Sequence, residues 1–379
     1  MDSNTRRKKL LITGGHLTPA IAVIQRLKNH EWEVIFMGRK VAQEGTSDPA
    51  REMQEIPKLG VKIITIPAGK LPRHLSLRSM LAVLRFPAGL LAAFWHIMRL
   101  RPDVILSFGG YVALPTALAG KVLGIPIVTH EQTLTKGLAN AIIERFADAV
   151  AVSWKETKTI FKGNVVVTGN PLREEIVRSD GWKVPIQNTN IPLLYITGGN
   201  QGAHRINMVV KKALPQLLKK YAIVHQCGSA REKSDYTMLL QTRASLPDEL
   251  KNRYVIRDWF QESEVAWLLR NADLIISRSG ANTITEIAYT GATALFIPLP
   301  IAGRNEQLAN AEFIKAAGTA EILLQSKLSP VTLRKKIRQM LKDLTNYKRN
   351  AAKARALVVP NAARKVIKLV DQVYEKAKK

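Results

Sequence analysis

The sequence contains the same opening twice, as LLITGGH at residues 10–16 and as LLYITGGNQGA at residues 193–203. In each copy, an apolar run typical of a buried strand ends at a threonine that two glycines follow. Glycine permits a tight turn from a strand end into a helix and allows a ligand to approach the backbone closely. Because each copy opens its own half of the chain, we expect two domains of the same class.

Short apolar runs alternate with helix-length segments on either side of these openings. The first half has predicted strands at residues 10–13, 34–37, 63–66, 104–107, 127–129, 150–152 and 165–168. The second half has predicted strands at residues 193–197, 223–226, 254–256, 274–277, 294–297 and 322–324. This alternation predicts an α/β protein with a doubly wound parallel sheet in each half, followed by helices over residues 329–379.

The length of 379 residues fits two domains of ordinary size. We place an N-terminal Rossmann-like domain at residues 1–170, a linker at 171–191 and a C-terminal Rossmann-like domain with the terminal helices at 192–379. Ligands of doubly wound sheets bind at the carboxyl ends of the strands. Two such domains facing each other would therefore hold a ligand in the cleft between them.

The amino-acid composition indicates where the protein is located and which class of partner it binds. Cys227 is the single cysteine, which excludes an intramolecular disulfide, and no signal-peptide pattern precedes the first strand. We therefore expect a cytoplasmic location. The 57 Lys and Arg residues outnumber the 30 Asp and Glu residues, giving a net charge of +27. Such an excess indicates a polyanionic partner, either nucleic acid or an anionic membrane surface.

The distribution of charge favours the membrane. Residues 56–102 contain no Asp or Glu, and residues 80–98 are apolar apart from Arg85 and His96. This pattern predicts an amphipathic element in the membrane interface, although a core helix with a basic edge remains the alternative. Arg85 and Pro87 argue against a spanning helix. The side chains expected to insert are Leu81, Leu84, Leu90, Leu91 and Phe94, and those expected to meet head groups are Arg73, Arg78, Arg85, Arg99 and Arg101.

The glycine loops predict a nucleotide site in the second half. Neither G-x-G-x-x-G followed by an acid nor G-x-x-x-x-G-K-[ST] occurs, so dinucleotide and P-loop sites are disfavoured. The amides of Gly198, Gly199 and Gly202 can bind a diphosphate at a helix start, and Asn200 and Gln201 add side-chain donors.

A third loop, SRSGANTITE at residues 277–286, predicts the other part of that site. Gly280 opens a helix, and Glu286 can accept two hydrogen bonds from a ribose diol. A first-turn acid that only stabilises the helix dipole is the structural alternative for Glu286.

These motifs together resemble those of the bacterial UDP-N-acetylglucosamine:lipid I N-acetylglucosaminyltransferases, which make lipid II for peptidoglycan. The segments that carry the resemblance are Thr13-Gly14-Gly15-His16, Gly109-Gly110-Tyr111-Val112, His130-Glu131-Gln132, Gly169-Asn170-Pro171-Leu172-Arg173, Gly198 to Ala203, Arg278-Ser279-Gly280-Ala281, Glu286-Ile287 and Gln307. The resemblance implies the two-domain GT-B fold and transfer with inversion from UDP-N-acetylglucosamine to the 4-hydroxyl of the muramoyl unit of undecaprenyl-linked muramoyl-peptide.

The resemblance also assigns residues to the two substrates. The donor would be lined by Thr13, Gly14, Gly15, Thr133, Arg173, Asn200, Gln201, Gly202, Phe260, Gly280, Ala281, Asn282, Thr283, Ile284, Thr285, Glu286 and Gln307. The acceptor would contact Gly109, Gly110, Tyr111 and Asn140.

For the general base we favour His16, whose ordinary pKa suits proton abstraction at neutral pH, with Glu131 as the alternative. No Asp-x-Asp occurs, so we expect neither a metal nor another cofactor.

Three other functions remain open at this point. A UDP-N-acetylglucosamine 2-epimerase would share the fold, and a transferase that glycosylates diacylglycerol would share the membrane face. A basic nucleic-acid-binding protein would explain the charge but not three glycine loops with Glu286, and residues 80–98 are mainly aliphatic rather than stacking aromatics. We expect a peripheral protein at the cytoplasmic face of the membrane, with no nucleic-acid partner.

Overall fold

The computed structural model describes residues 7–27, 31–41, 50–67, 77–177, 190–199, 202–228, 232–300 and 305–379, with the backbone alone for residues 77–85 and 232–234. Two compact units divide the chain. Unit 1 comprises Met1–Arg173 and Val359–Lys379, and unit 2 comprises Glu174–Val358. Arg73 and the side chains of Arg78, Leu81, Leu84 and Arg85, which we expected at a membrane, lie outside the described part.

Unit 1 contains a seven-stranded parallel sheet in the order β3-β2-β1-β4-β5-β6-β7. Its elements are β1 Lys8–Thr13, α1 Leu17–Leu27, β2 Trp32–Gly38, α2 Glu52–Lys58, β3 Lys62–Thr65, α3 Leu77–Leu100, β4 Val104–Ser107, α4 Ala113–Val122, β5 Ile127–Glu131, α5 Leu138–Ile143, β6 Ala149–Val152, a 3₁₀ turn Glu156–Ile160 and β7 Val165–Val167. The strand order reverses between β1 and β4, so their carboxyl ends form the expected binding edge.

Unit 2 repeats this plan with six parallel strands in the order β10-β9-β8-β11-β12-β13. Its elements are α6 Glu174–Val177, β8 Leu193–Thr197, α7 His204–Leu218, β9 Ala222–Gln226, α8 Glu232–Ala244, α9 Asp248–Lys251, β10 Tyr254–Arg257, α10 Glu262–Asn271, β11 Leu274–Ser277, α11 Ala281–Thr290, β12 Ala294–Phe296, α12 Glu306–Ala316, β13 Ala320–Ile322, a 3₁₀ turn Gln325–Lys327, α13 Pro330–Lys342, α14 Leu344–Arg349 and α15 Ala351–Leu357. Here the order reverses between β8 and β11.

The strands lie where the sequence predicts them, except at the end of unit 2. β13 ends at Ile322, the residue at which the predicted strand begins. Gly318, with φ 83°, follows α12 and turns the chain at once into β13. The strand therefore starts earlier than its apolar run suggests.

The last helix, α16 Ala362–Lys378, belongs to unit 1 and not to the C-terminal domain to which the sequence pattern assigns it. Its apolar face joins the core formed by β1, β2 and β4, to which it contributes Val366, Leu369, Val370 and Val373. Asp371 also accepts a hydrogen bond from the Trp32 indole at 2.8 Å. The chain therefore returns to its first unit because this apolar face completes the core there.

The expected consequence is that Leu369→Ala destabilises unit 1. Leu369 is 3% exposed within that core, and truncation of a buried leucine costs about 2–5 kcal/mol of unfolding free energy. Hydrogen exchange should accelerate in β1 and β4 while β8 and β11 keep their protection. Lys368→Ala, at an exposed position of the same helix, should change neither unit. Equal loss of protection in both units would contradict this assignment of α16.

Candidate active site

Two glycine turns meet at the carboxyl edge of the first sheet. The amide of Gly15 donates to the carbonyl of Gly109 at 2.9 Å. Gly14 has φ 143°, and a Cβ at this position would lie 2.8 Å from Cβ of Phe108. A residue with a side chain would push the turns apart. The two turns predicted to face the sugar and the acceptor, Gly14-Gly15 and Gly109-Gly110, therefore lie side by side.

His16 follows the first of these turns and precedes α1. Its side chain is half-buried. Burial lowers the pKa of His16 below its usual value, and the nearby Glu131 carboxylate opposes this shift. A histidine with a lowered pKa is neutral at pH 7, so a ring nitrogen can accept a proton. This charge state is the one that a general base requires.

Glu131 ends β5, and its carboxylate is buried and hydrogen-bonded through both oxygens. One oxygen accepts from the amide of Thr133 at 3.2 Å and from its hydroxyl at 2.9 Å. The other accepts from the amide of Gly137 at 2.9 Å and from the side chain of Asn140 at 3.0 Å. Three N–H donors thus hold the carboxylate, and the single proton of the Thr133 hydroxyl is shared between Glu131 and the carbonyl of Thr135. The geometry therefore fits a residue that fixes the loop after β5 better than it fits a base.

Asn140 and Tyr111, both predicted to contact the acceptor, form hydrogen bonds with other residues of unit 1. Besides Glu131, the amide of Asn140 donates to the carbonyl of His130 at 3.1 Å and accepts from the Thr129 hydroxyl at 2.8 Å. Arg39 donates to the Tyr111 hydroxyl, and its guanidinium lies 5.4 Å from the centre of that ring. These contacts indicate that Asn140 and Tyr111 support the loops.

His130 and Gln132, two residues of the His130-Glu131-Gln132 motif, are fully buried and support the loops around them. Burial lowers the pKa of His130 to about 4, so its imidazole is neutral at pH 7. Nε2 donates to the carbonyl of Gly169 at 2.9 Å, and Nδ1 accepts from the Gln132 amide at 3.1 Å. Residue type alone gave no sign that this histidine would be sealed from solvent.

In unit 2, the glycine turn after β8 leads directly into α7. Gly199 and Gly202 have φ of 74° and 76°, and the amide of Gly199 donates to the Thr197 hydroxyl at 3.0 Å. A Cβ on Gly202 would collide with the carbonyl oxygen of Cys227. The turn is thus held against the end of β9. The predicted donor residues Asn200 and Gln201 lie outside the described residues.

The third loop opens α11, as the sequence predicts. Gly280 precedes the helix, and the space where its Cβ would lie is open to 4 Å. Ile284 is fully buried, and the Thr285 hydroxyl donates to the carbonyl of Ala281 at 2.8 Å. These side chains therefore face the unit itself. Asn282, Thr283 and Glu286 share another helix face, where Glu286 is 7% exposed.

Helix α12 and Arg278 clamp this loop. Ser279 donates its hydroxyl to the carbonyl of Gln307 at 2.6 Å, and Asn310 donates to the carbonyl of Ser279 at 3.0 Å. Gln307 accepts from the amide of Leu299 at 3.0 Å. Burial lowers the pKa of Arg278 to about 10. Arg278 is a site residue that motif spacing does not predict, although its position directly after the end of β11 is a signal for one.

Arg278 donates to neutral oxygens of two neighbouring loops. It donates to the carbonyl of Ile297 at 2.8 Å and to the Gln325 side chain at 2.6 Å. The loop at the end of β11 is therefore tied to the loops that follow β12 and β13.

Two further predicted donor residues are buried. Phe260 is fully buried, and the Arg257 guanidinium lies 5.1 Å from its ring centre. Arg173 is also buried and is the last residue of the first segment of unit 1. Within the described ranges, no group of three or more His, Cys, Asp or Glu residues could hold a metal ion. The expected independence of metal stays a prediction.

Comparisons with known proteins agree with this arrangement. The glycosyltransferase family 28 N-terminal domain matches residues 13–152, and its C-terminal domain matches residues 193–370. A UDP-N-acetylglucosamine–N-acetylmuramyl-(pentapeptide) pyrophosphoryl-undecaprenol N-acetylglucosamine transferase of Bacillus anthracis is 33% identical, over 90% of this chain and 94% of that relative. One of the same name from Clostridium botulinum is 31% identical, over 96% and 99%.

Solved structures give the same result. MurG of Acinetobacter baumannii is 28% identical with a TM-score of 0.69, over 96% of this chain and 99% of that one. The calicheamicin glycosyltransferase CalG4, 13% identical with a TM-score of 0.69 over 98% and 99%, shares the fold. The two parallel-sheet units are thus a GT-B fold, and the chain is a UDP-sugar glycosyltransferase of the hexosyltransferase class. The chain belongs to glycosyltransferase family 28 and, within it, to the N-acetylmuramyl-(pentapeptide) pyrophosphoryl-undecaprenol N-acetylglucosamine transferases.

Proposed function

We propose that the chain transfers N-acetylglucosamine from UDP-N-acetylglucosamine to the 4-hydroxyl of the muramoyl unit of lipid I, the undecaprenyl-linked muramoyl-peptide, and so makes lipid II for peptidoglycan. The names of its relatives suggest the substrates. The observation that carries the proposal is His16, a half-buried histidine with a lowered pKa beside two packed glycine turns at the edge of the first sheet. Such a group can take a proton from a sugar hydroxyl at neutral pH.

The donor would bind at the carboxyl edge of the second sheet. The amides of Gly198, Gly199 and Gly202 and the start of α7 would hold the diphosphate, because a helix start favours negative charge. Glu286 would accept hydrogen bonds from the ribose hydroxyls. Arg173 would help to balance the charge that develops on the departing diphosphate.

The reaction would be a single displacement. His16 takes the proton of the acceptor hydroxyl while that oxygen forms a bond to the anomeric carbon. The bond between the anomeric carbon and the diphosphate oxygen breaks, and UDP leaves with the electron pair. Attack from the face opposite the leaving group inverts the anomeric carbon, as expected for the family. No step in this scheme requires a metal.

A membrane contact would bring unit 1 to its lipid-linked acceptor. Among the described helices, none is long and apolar enough to cross a membrane. On α3, Leu91, Trp95 and Met98 are 70%, 50% and 49% exposed and recur at helical spacing on one face. We call these three side chains the α3 stripe. The Arg99 guanidinium lies 5.5 Å from the Trp95 ring centre and adds positive charge beside it.

The contacts of α3 revise which side chains would insert. Leu90 and Phe94, expected in the membrane, pack partly buried against the core of unit 1. Leu91 remains available, and Trp95 and Met98 join it. The proposal is therefore a peripheral enzyme that lies on the anionic cytoplasmic face of the membrane through the α3 stripe. Nucleic acid is not among its proposed partners.

The donor arrangement predicts that Glu286→Ala weakens binding of UDP-N-acetylglucosamine. Loss of a charge-assisted hydrogen bond costs about 1.5–3 kcal/mol. Calorimetry in the presence of a chelator should show tight binding by the wild type and this loss in the variant. Glu312→Ala removes an exposed carboxylate from α12 and should bind normally. Unchanged affinity in Glu286→Ala would remove the ribose role from this residue.

The base assignment predicts that His16→Ala lowers kcat by roughly 10²–10⁴ while donor affinity survives. Since burial lowers the pKa of His16, wild-type kcat/KM should hold from pH 7 down to below pH 6.5 and fall only at more acidic pH. That acid limb should be absent in the variant. If Glu131→Ala loses more kcat than His16→Ala and keeps its folding, the two roles must be exchanged.

The membrane contact predicts that replacing Leu91, Trp95 and Met98 with Ser releases the protein from anionic vesicles. Shallow insertion of each side chain contributes roughly 1 kcal/mol, so partitioning should fall about a hundredfold. Transfer to a full-length lipid acceptor should slow, whereas transfer to a soluble short-chain analogue should not. As a control, Val177, Leu240 and Val331 are exposed apolar residues of unit 2. Their replacement with Ser should leave vesicle binding intact, and equal loss in both variants would argue against the α3 stripe.

A further inference from the structure

A buried chain of polar side chains runs through unit 2 and ends at an exposed histidine beside the glycine turn. His204, the first residue of α7, follows Gly202 by two positions and has a side chain that is 62% exposed. Asp235 of α8, 5% exposed, accepts from Nδ1 of His204 at 2.7 Å. The imidazole is thus held on one side by a buried carboxylate and faces solvent on the other.

The hydrogen-bond directions along this chain can be assigned from donor and acceptor chemistry. Asn207 lies one turn after His204, and its Nδ2 contacts the carbonyl of Cys227 at 3.0 Å and Asp235 Oδ2 at 2.8 Å. Both partners can only accept, so the Asn207 nitrogen is the donor and its Oδ1 is the acceptor. Nε2 of His225, 3.0 Å from that oxygen, must therefore donate.

The far end of the chain agrees with this assignment. Burial lowers the pKa of His225 to about 3, so the imidazole is neutral and its Nδ1 is an acceptor. The Tyr254 hydroxyl, 3.0 Å away, donates to Nδ1. Burial raises the pKa of Tyr254, so this hydroxyl keeps its proton. From Tyr254 to Asn207, each side chain therefore donates to the next one, and Asp235 accepts the last of these hydrogen bonds.

Two consequences bear on the glycine turn. Asn207 donates to the carbonyl oxygen of Cys227, and a side chain at Gly202 would collide with that same oxygen. The row of polar side chains therefore fixes the backbone against which the glycine turn packs. Asp235 fixes Nδ1 of His204 as the protonated ring nitrogen next to it, which leaves Nε2 at the outward edge. A chain that only stabilised the core would not need an exposed imidazole at its end.

We propose that His204 contacts the diphosphate of the bound UDP-sugar as the imidazolium, in which Nδ1 donates to Asp235 and Nε2 donates to a phosphate oxygen. Asp235 is then the positioning residue that aims Nε2. This inference rests on the proposed function, since it adds a contact to the donor site. An imidazole held by a carboxylate presents its other nitrogen in a fixed direction, which lowers the entropy lost when a phosphate oxygen binds.

Two substitutions of His204 distinguish a hydrogen bond to the diphosphate from the hydrogen bond to Asp235 that ties α7 to α8. The amide nitrogen of Asn can take the place of Nδ1, so His204→Asn keeps the tie to Asp235 and removes the outward nitrogen. The longer Gln can place its amide nitrogen near Nε2, so His204→Gln loses the tie and keeps an outward donor. UDP and uridine are the probes, with uridine affinity measured by competition against UDP-N-acetylglucosamine. Thermal unfolding checks that both variants are folded.

The expected result is that UDP affinity falls about tenfold or more in His204→Asn, as for loss of a hydrogen bond to a charged group. UDP affinity should fall less in His204→Gln, and uridine affinity should equal that of the wild type in both variants. Asp235→Asn should lower UDP affinity in the wild type and have no further effect when added to His204→Asn. Lys212→Gln removes an exposed charge from the same helix and should bind UDP normally.

Three results would overturn the inference. Wild-type affinity for UDP in His204→Asn, or an equal loss for uridine, would mean that His204 does not contact the diphosphate. A smaller loss in His204→Asn than in His204→Gln would make the histidine only a tie between α7 and α8. In all these cases the wild type still binds UDP, so the proposed use of a UDP-sugar donor is not contradicted. A wild type that does not bind UDP would instead contradict the proposed function and this inference with it.

Discussion

The hydrogen bond from the Gly15 amide to the Gly109 carbonyl, 2.9 Å long, determines how the site of unit 1 can be built. It joins the carboxyl ends of β1 and β4 through backbone alone, and a side chain at Gly14 would separate them. His16 and the loop after β5 are placed relative to that contact. Unit 2 meets the same requirement where Gly202 packs against Cys227, with Asn207 holding the carbonyl of Cys227. In both units, close backbone approach excludes side chains from the surface where a sugar nucleotide would lie.

Much of this arrangement follows from local sequence. The apolar runs predict the strands because parallel strands buried on both faces are continuously apolar. The turns after β1, β8 and β11 are predictable because glycine followed by a helical pattern marks the carboxyl edge of such a sheet. These features depend on neighbours within a few residues. They include His16 and Gly280, whose positions before a helix the structure confirms.

The remaining features depend on folded contacts that no sequence motif marks. The sequence after Glu131 does not show that the loop folds back, so that Gly137 and Asn140 donate to its carboxylate and weaken its case as a base. The apolar face of α16 is visible in the sequence, but the sequence does not reveal that it would pack in unit 1. The pairing of His204 with Asp235 likewise joins two helices through a buried acid that no motif marks. Residue type predicts which chemistry is available, whereas burial and hydrogen bonding decide which groups can still use it.

Charge and apolar surface act at different ranges in the proposed membrane attachment. The net charge of +27 attracts an anionic surface over a Debye length of about 8–10 Å but does not by itself select an orientation. Exposed basic residues on the C-terminal helices contribute to this attraction, among them Lys335, Arg338, Lys342, Lys353, Lys365 and Lys368. The α3 stripe acts only on contact and occupies one face of one helix, so it would define how unit 1 lies on the surface. Nucleic acid would satisfy the charge equally well, but it offers no apolar phase for Leu91, Trp95 and Met98. The stripe is therefore the feature that favours a bilayer over a nucleic acid as the anionic partner.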